Sequence, residues 1–160
     1  MLISDRYLAI YLQDHLAGAT AGLELARRAA TANEESELGS ELEALATEIE
    51  ADRDRLRSIM DHLEVGPDHL KVGVAWTGEK LGRLKLNGQL VSYSPLSRLV
   101  ELEGLYVGIT GKLSLWRNLE RAMGERLVQF GLQELIERAE DQRERVEGMR
   151  LTVAADVLSE

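Results

Sequence analysis

The stretch LGSELEALATEIEADRDRLRSIMDHL, Leu38–Leu63, carries an apolar residue at almost every third or fourth position. One face of an α-helix recurs at this spacing, because a helical turn takes about 3.6 residues. The apolar positions are Leu38, Leu42, Leu45, Ile49, Leu56, Ile59 and Leu63. Asp52 stands where the repeat calls for another apolar residue. The stretch therefore predicts a long amphipathic helix that places one carboxylate on its buried face.

The same periodicity extends over most of the chain, and the sustained period-two alternation typical of strands is absent. It predicts four helices and one long connection, at approximately 5–31, 36–64, 95–123 and 131–158, with the connection at 65–94. Short links make successive helices antiparallel neighbours, so the helices form two hairpins. We predict a single all-α domain, 1–160: an antiparallel four-helix bundle whose two hairpins are joined by one long crossover.

Local signals support two of these boundaries. Gly66 and Pro67 follow the second helix in the order that ends helices. Ser94 precedes Pro95, which predicts a capping serine and a proline in the first helical turn. The glycine-rich connection between them predicts one short helix around 77–86.

Composition restricts the class of protein. The 160 residues include no cysteine and carry a formal net charge of −9. Disulfides, thiolate metal sites and cysteine nucleophiles are therefore excluded. An acidic chain suits nucleic acid poorly, because binding phosphates needs clustered Lys and Arg. No run approaches the roughly 18 apolar residues of a membrane span, and the first residues lack a secretory signal pattern. We expect an acidic cytoplasmic protein that binds neither nucleic acid nor membrane.

Polar residues interrupt the apolar face of each predicted helix. They are His15, Asp52, Glu103 with Thr110, and Gln142. His15 lies about 19 residues before the first turn, near Glu34, and Asp52 lies about 18 residues after it. Because a helix rises about 1.5 Å per residue, the two side chains are level. We predict a buried charge-assisted pair between His15 and Asp52.

Two helical hairpins, a long crossover and inward-facing acidic or imidazole side chains resemble the ferritin-like superfamily. Its di-metal members use a Glu-x-x-His motif on two of the helices. Here the residues three positions before the histidines are Leu12, Ile59 and Gly66, so the motif is missing. The resemblance therefore implies a metal site that is absent or reduced. We expect no cofactor, or alternatively a single divalent metal ion at His15, Asp52 and Glu103. The other interpretation is a core network that fixes helix register.

Glycines inside two of the helices need a separate explanation. Each costs about 1 kcal/mol of helix stability relative to alanine. They are Gly18, Gly22, Gly104, Gly108 and Gly111. Their small size predicts close helix packing, within the chain or across a dimer. The alternative is a narrow apolar cavity near Tyr11, Tyr106 and Trp116, with Thr110 and Gln142 as further packing or ligand residues.

Motifs of nucleotide and acyl chemistry are absent from the sequence. In GITGKLS, Gly108–Ser114, only two residues separate the glycines, and the stretch lies within a predicted helix, so it is not a phosphate loop. We predict a non-catalytic bundle that acts by self-association, as a homodimer, or by binding a protein partner. The alternative is a reduced ferritin-like protein that binds a metal ion or small ligand between its hairpins.

Overall fold

Four long helices make up most of residues 3–66 and 93–159, the parts of the chain that the computed structural model describes. They are α1 (Ile3–Ala32), α2 (Glu37–His62), α3 (Pro95–Met123) and α4 (Leu132–Leu158). Two short 3-10 turns, Gly124–Arg126 and Val128–Phe130, join α3 to α4. No strand occurs in the described ranges, which confirms the all-α prediction. Except at its two ends, the predicted crossover lies outside those ranges, as does the short helix at 77–86.

Local chemistry explains where α2 and α3 begin. The Ser36 hydroxyl accepts a hydrogen bond from the backbone N–H of Gly39 at 3.3 Å. Ser94 and Ser97 form a reciprocal capping box, and Pro95 occupies the first turn of α3. The predicted cap at Ser94 is therefore confirmed. Before α4, Gly131 has φ of +62°, a left-handed conformation that glycine adopts without steric cost.

The helices pack mainly as α1 with α2 and α3 with α4, and α1 also contacts α3. Polar contacts show the register of α1 against α3. The Asn118 amide donates to the Tyr11 hydroxyl at 2.9 Å, and Arg28 pairs with Glu101 at 3.0 Å. The beginning of α1 is thus level with the end of α3. Helices α2 and α4 approach each other less closely.

The buried apolar side chains form two separate clusters. One is centred on Leu23, Leu42, Leu45, Leu102, Leu105 and Val146. The other is centred on Leu12, Leu56, Ile59, Leu113, Trp116 and Ala139. Asp52 and Gln142 are both buried. Along α2 and α4, each of them lies between the residues that belong to the first cluster and those that belong to the second. A polar layer therefore divides the core, and the candidate site lies at this level.

Candidate functional site

Asp52 on α2 is at the centre of the polar layer, with only 2% of the residue exposed. Its Oδ2 accepts hydrogen bonds from Lys112 Nζ at 2.6 Å and from Gln142 Nε2 at 3.2 Å. Its Oδ1 accepts one from the Arg138 guanidinium. Two cations and an amide thus compensate the buried carboxylate, which would be unfavourable alone.

Gln142 on α4 links the three helices of this layer. Its side-chain oxygen accepts a hydrogen bond from Lys112, and its Nε2 also donates to Glu48 Oε2 at 2.9 Å. Arg145 pairs with the same Glu48 oxygen at 2.5 Å. Long polar side chains therefore span the space between α2 and α4, where the two helices approach less closely. We call Glu48, Asp52, Lys112, Arg138, Gln142 and Arg145 the polar layer.

Burial lowers the pKa of Lys112 from its ordinary value, and the neighbouring Asp52 carboxylate opposes that shift. Sequence reasoning missed this lysine, because it considered GITGKLS only as a phosphate loop. A usable signal was present. Lys112 lies 14 residues before Arg126 and Gln142 lies 16 after it, so the two are nearly level across the α3–α4 turn.

A cavity of about 210 Å³ lies beside the polar layer, between α1, α2 and α3. Its wall is largely apolar, from residues such as Ile49, Leu56 and Trp116, while Asp52 and Lys112 supply part of its polar surface. The five glycines singled out in the sequence all line it: Gly18, Gly22, Gly104, Gly108 and Gly111. Gly18 and Gly108 are exposed, so the cavity opens to solvent between α1 and α3.

The glycines surround open space. Among residues 3–66 and 93–159, a methyl group placed on Gly18, Gly22, Gly108 or Gly111 would have no atom of another element within 4 Å. At Gly104 it would lie 3.1 Å from Leu25 Cδ2, which is close packing. Close packing against the described residues is therefore the wrong prediction at four of the five glycines. The alternative, a cavity, is correct near Trp116, whereas Tyr11 and Tyr106 do not line it.

Glycines from the two helices face each other across this opening. The contacts of Tyr11 with Asn118 and of Arg28 with Glu101 set the register of α1 against α3. In that register Gly18 is level with Gly111, and Gly22 is level with residue 107, next to Gly108. At the level of Gly18 and Gly111, neither of these two positions therefore presents a side chain to the opening.

His15 lines the cavity but does not pair with Asp52. The half-buried imidazole packs edge-on against the Tyr11 ring, with the ring centroids 4.6 Å apart. Burial lowers the pKa of His15, and the nearby Asp14 charge opposes this shift. The predicted His15–Asp52 pair is wrong: the Asp52 carboxylate bonds to Lys112, Arg138 and Gln142, and the His15 ring contacts Tyr11 instead.

The other candidate ligands do not converge on this site. Glu103 is exposed on α3, and its charge acts on Arg150 of α4. Thr110 donates a hydrogen bond to the Tyr106 backbone oxygen at 2.8 Å. Across residues 3–66 and 93–159, no three His, Cys, Asp or Glu side chains come together in a way that could hold a metal ion. His15, Asp52 and Glu103 therefore do not form the metal site that the sequence suggested.

A second polar cluster, also missed from the sequence, lies at the turn between α1 and α2. Asn33 accepts a hydrogen bond from Arg98 Nε at 2.6 Å and donates to the Tyr93 hydroxyl at 2.8 Å. Tyr93 donates to Glu101 at 3.1 Å, and burial raises the pKa of Tyr93. Glu101 also pairs with Arg28 of α1. The cluster attaches the start of α3 to the first hairpin.

No protein-family model matches the chain, and neither curated proteins nor solved structures give a match. Within the parts of the chain that the structure describes, no helix combines the length and apolar character needed to cross a membrane. The cavity and the polar layer beside it are therefore the features of the molecule that bear on its function.

Proposed function

We propose that this protein binds a small, largely apolar molecule in the cavity between α1, α2 and α3. The observation that carries the proposal is the open space beside four helical glycines. Alanine would fit at each and would favour the helix by about 1 kcal/mol per position. The chain thus carries a residue that is less stabilising than alanine at four helical positions, and all four line the same cavity. A binding volume explains this better than packing does, because no side chain from the described parts of the chain fills it.

Binding suits the polar layer better than catalysis does. A general base or nucleophile needs a free lone pair within reach of its substrate. Asp52 uses three of its roughly four lone-pair sites for hydrogen bonds, two of them from cations, and Lys112 donates to Asp52 and Gln142. These side chains hold one another in place and form a fixed polar wall. Their mutual compensation supports a binding role for the cavity.

The contacts also support a ferritin-like arrangement of the helices. Gln13 on α1 donates to the Gly66 carbonyl beyond the end of α2, at 3.3 Å. Arg138, early in α4, pairs with Asp52, late in α2. With the α1–α3 register, these contacts favour two antiparallel hairpins in which α2 and α3 run in the same direction. We include that topology, with its single crossover, in the proposal.

Toluene is a suitable probe of the cavity, because a cavity of about 150 Å³ is enough to bind benzene. We expect toluene to raise the midpoint of thermal unfolding of the wild-type chain. Gly22→Leu places a side chain in the open space and should abolish the shift. Gly148→Leu is the matched control. Gly148 is an exposed helical glycine outside the cavity lining, and a methyl group on it would meet no atom of another described element within 4 Å.

The proposal fails if toluene leaves the wild-type midpoint unchanged. It also fails if toluene shifts the wild type and both variants equally, because the ligand then binds elsewhere. A shift that only Gly22→Leu loses supports the assigned cavity.

Self-association, predicted from the sequence, is the second candidate. Three apolar side chains of α3 are exposed at helical spacing: Leu96, Val100 and Val107, with 56%, 39% and 69% of each residue accessible. A second copy of the chain could cover this stripe. Sedimentation velocity tests it: a wild-type dimer that Val107→Asp converts to monomer supports self-association, and a wild-type monomer at all concentrations contradicts it.

A further inference from the structure

We infer that the ligand is an uncharged, single-chain molecule with a hydroxyl group at one end, and that it lies lengthwise in the cavity with the hydroxyl beside His15. This inference rests on the proposed binding function and specifies the chemistry of its ligand. Three features of the cavity carry it: its length, the unequal polarity of its two ends, and an imidazole in its lining whose nitrogens are unpaired.

The cavity is long for its volume. Its lining runs along α1 from Asp14 to Gly22 and along α2 from Ile49 to Leu56. Because a helix rises about 1.5 Å per residue, these stretches span about 12 Å and about 10 Å. The volume is about 210 Å³. Since a cavity of about 150 Å³ is enough to bind benzene, this one holds roughly eight non-hydrogen atoms. One extended chain of that size uses the length of the cavity better than a ring does.

The two ends of the cavity differ in polarity. In the register of α1 against α3, Lys112 is level with residue 17 and Gly22 is level with residue 107. Asp52 bonds to Lys112, so it belongs to the same end. The charged and imidazole residues of the described lining therefore share that end: Asp14, His15, Asp52, Arg53 and Lys112. Toward Gly22, the described lining consists only of glycine, alanine, leucine and isoleucine.

His15 provides a hydrogen-bonding group at the polar end. It shares a face of α1 with Gly18 and Gly22, at spacings of three and four residues, so its ring borders the same opening. Within residues 3–66 and 93–159, its ring contacts Tyr11, while neither ring nitrogen has a hydrogen-bond partner and both keep accessible surface. Burial lowers the pKa of His15, so the ring is uncharged at neutral pH. A neutral imidazole has one donor and one acceptor, and a hydroxyl can pair with either.

A neutral head group suits this end better than a charged one. The charged residues of the described lining are two acids and two bases: Asp14, Asp52, Arg53 and Lys112. Asp52 and Lys112 already compensate each other. A ligand ion would leave water for a largely apolar wall that offers no net counter-charge, which is unfavourable. A hydroxyl needs only a hydrogen bond, which the His15 ring can supply.

The test compares 1-heptanol with 4-heptanol in the full-length wild-type chain. The two alcohols have the same atoms, but only 1-heptanol carries its hydroxyl at the end of the chain. We expect 1-heptanol to bind at least about fivefold more tightly in isothermal titration calorimetry, because the central hydroxyl of 4-heptanol would lie against apolar walls. In nitrogen-15 spectra, 1-heptanol should shift the ring nitrogens of His15 and leave those of the exposed His62 unchanged.

Two variants assign the two ends of the ligand. His15→Phe keeps an aromatic ring beside Tyr11 but removes both nitrogens, and it should weaken 1-heptanol binding about fivefold, the effect of one hydrogen bond. His62→Phe lies outside the cavity lining and is the matched control, with an expected change of less than about twofold. Gly22→Ala adds a methyl group at the apolar end. It should weaken 1-heptanol binding about fourfold, the equivalent of one methylene, and leave the shorter 1-butanol unaffected.

Equal affinities of the two alcohols for the wild type would overturn the inference, as would equal effects of His15→Phe and His62→Phe. Equal losses of 1-butanol and 1-heptanol binding in Gly22→Ala would reject the assigned orientation. If His15→Phe fails to fold, the two alcohols and the His15 resonances in the wild type decide. Failure of the proposed function gives a different result, because then neither alcohol, nor toluene, binds the wild type. Equal binding of both alcohols leaves the cavity assigned and rejects the terminal hydroxyl.

Discussion

At the scale of single residues, the glycines have two opposite roles. Gly22 borders open space, and a methyl group there would meet no atom of another element within 4 Å in the described parts of the chain. Gly39, in the first turn of α2, has no such room: a methyl group would lie 2.1 Å from the Asn33 carbonyl oxygen. The sequence cannot distinguish these cases, because both are helical glycines, and the difference depends on neighbours from another segment.

The two glycines therefore predict substitutions of opposite sign. Gly22→Ala should raise the free energy of unfolding by about 0.5–1 kcal/mol, because alanine is the better helix former. Gly39→Ala should lower it by about 1–3 kcal/mol, the usual cost of overpacking. Urea denaturation with unchanged m-values provides the measurement. A loss of stability in Gly22→Ala would contradict the open space assigned beside it.

His15 predicts a specific dependence of stability on pH. Its folded-state pKa lies below the ordinary 6.5 because the imidazole is partly buried. Between these two pKa values the unfolded chain binds more protons than the folded chain, so stability falls as the pH falls through that window. His15→Leu should flatten this part of the curve of unfolding free energy against pH. An unchanged slope in His15→Leu would show that burial does not govern this titration.

At the scale of elements, the sequence predicts the helices well, with every boundary within two residues of the observed one. Periodicity and caps are local, so a single sequence contains them. The face that α3 buries was harder to predict. Leu96, Val100 and Val107 are exposed apolar residues on α3, so apolar residues surround this helix and its periodicity does not identify one inward face. The sequence accordingly predicts an inward Glu103, whereas Glu101 is the buried acid.

The cap of α3 gives a prediction about an element. Ser94→Ala removes the side-chain half of the capping box and should lower the free energy of unfolding by about 1 kcal/mol. Ser58→Ala is the matched control, because Ser58 is an exposed serine within α2 whose hydroxyl donates to the Asp54 carbonyl of its own helix. We expect its effect to be near zero. Equal effects of the two substitutions in thermal or urea unfolding would exclude a specific role for the cap.

At the scale of the whole molecule, the polar layer divides the core at the level of the cavity. The helical repeat predicts that Asp52 and Gln142 lie on the buried faces of their helices, and the structure confirms both. It did not give their partners, because pairing also depends on helix rotation and on the offset between hairpins. The sequence therefore predicted where buried polar residues lie, and the structure shows that Lys112 and Arg138 compensate them.

The contribution of Asp52 to the stability of the fold depends on its partners in the polar layer. Asp52→Leu leaves the buried Lys112 ammonium without its counter-charge, whereas Arg138, with 38% of its side chain exposed, can turn to solvent. We expect a loss of about 3–5 kcal/mol, typical of breaking a buried ion pair from one side. Replacing Lys112 with Met and Gln142 with Leu as well removes the stranded charge and the unpaired amide.

The triple variant should therefore recover most of the stability that Asp52→Leu loses, because apolar replacements of a whole buried ion pair are often neutral or stabilising. Urea denaturation of the wild type, the three single variants and the triple variant measures the coupling. Additive losses, with the triple variant the least stable chain, would contradict a mutually compensated layer. Recovery would show that the layer adds little net stability. Its remaining physical role would then be to fix the register of the helices and the shape of the polar wall beside the cavity.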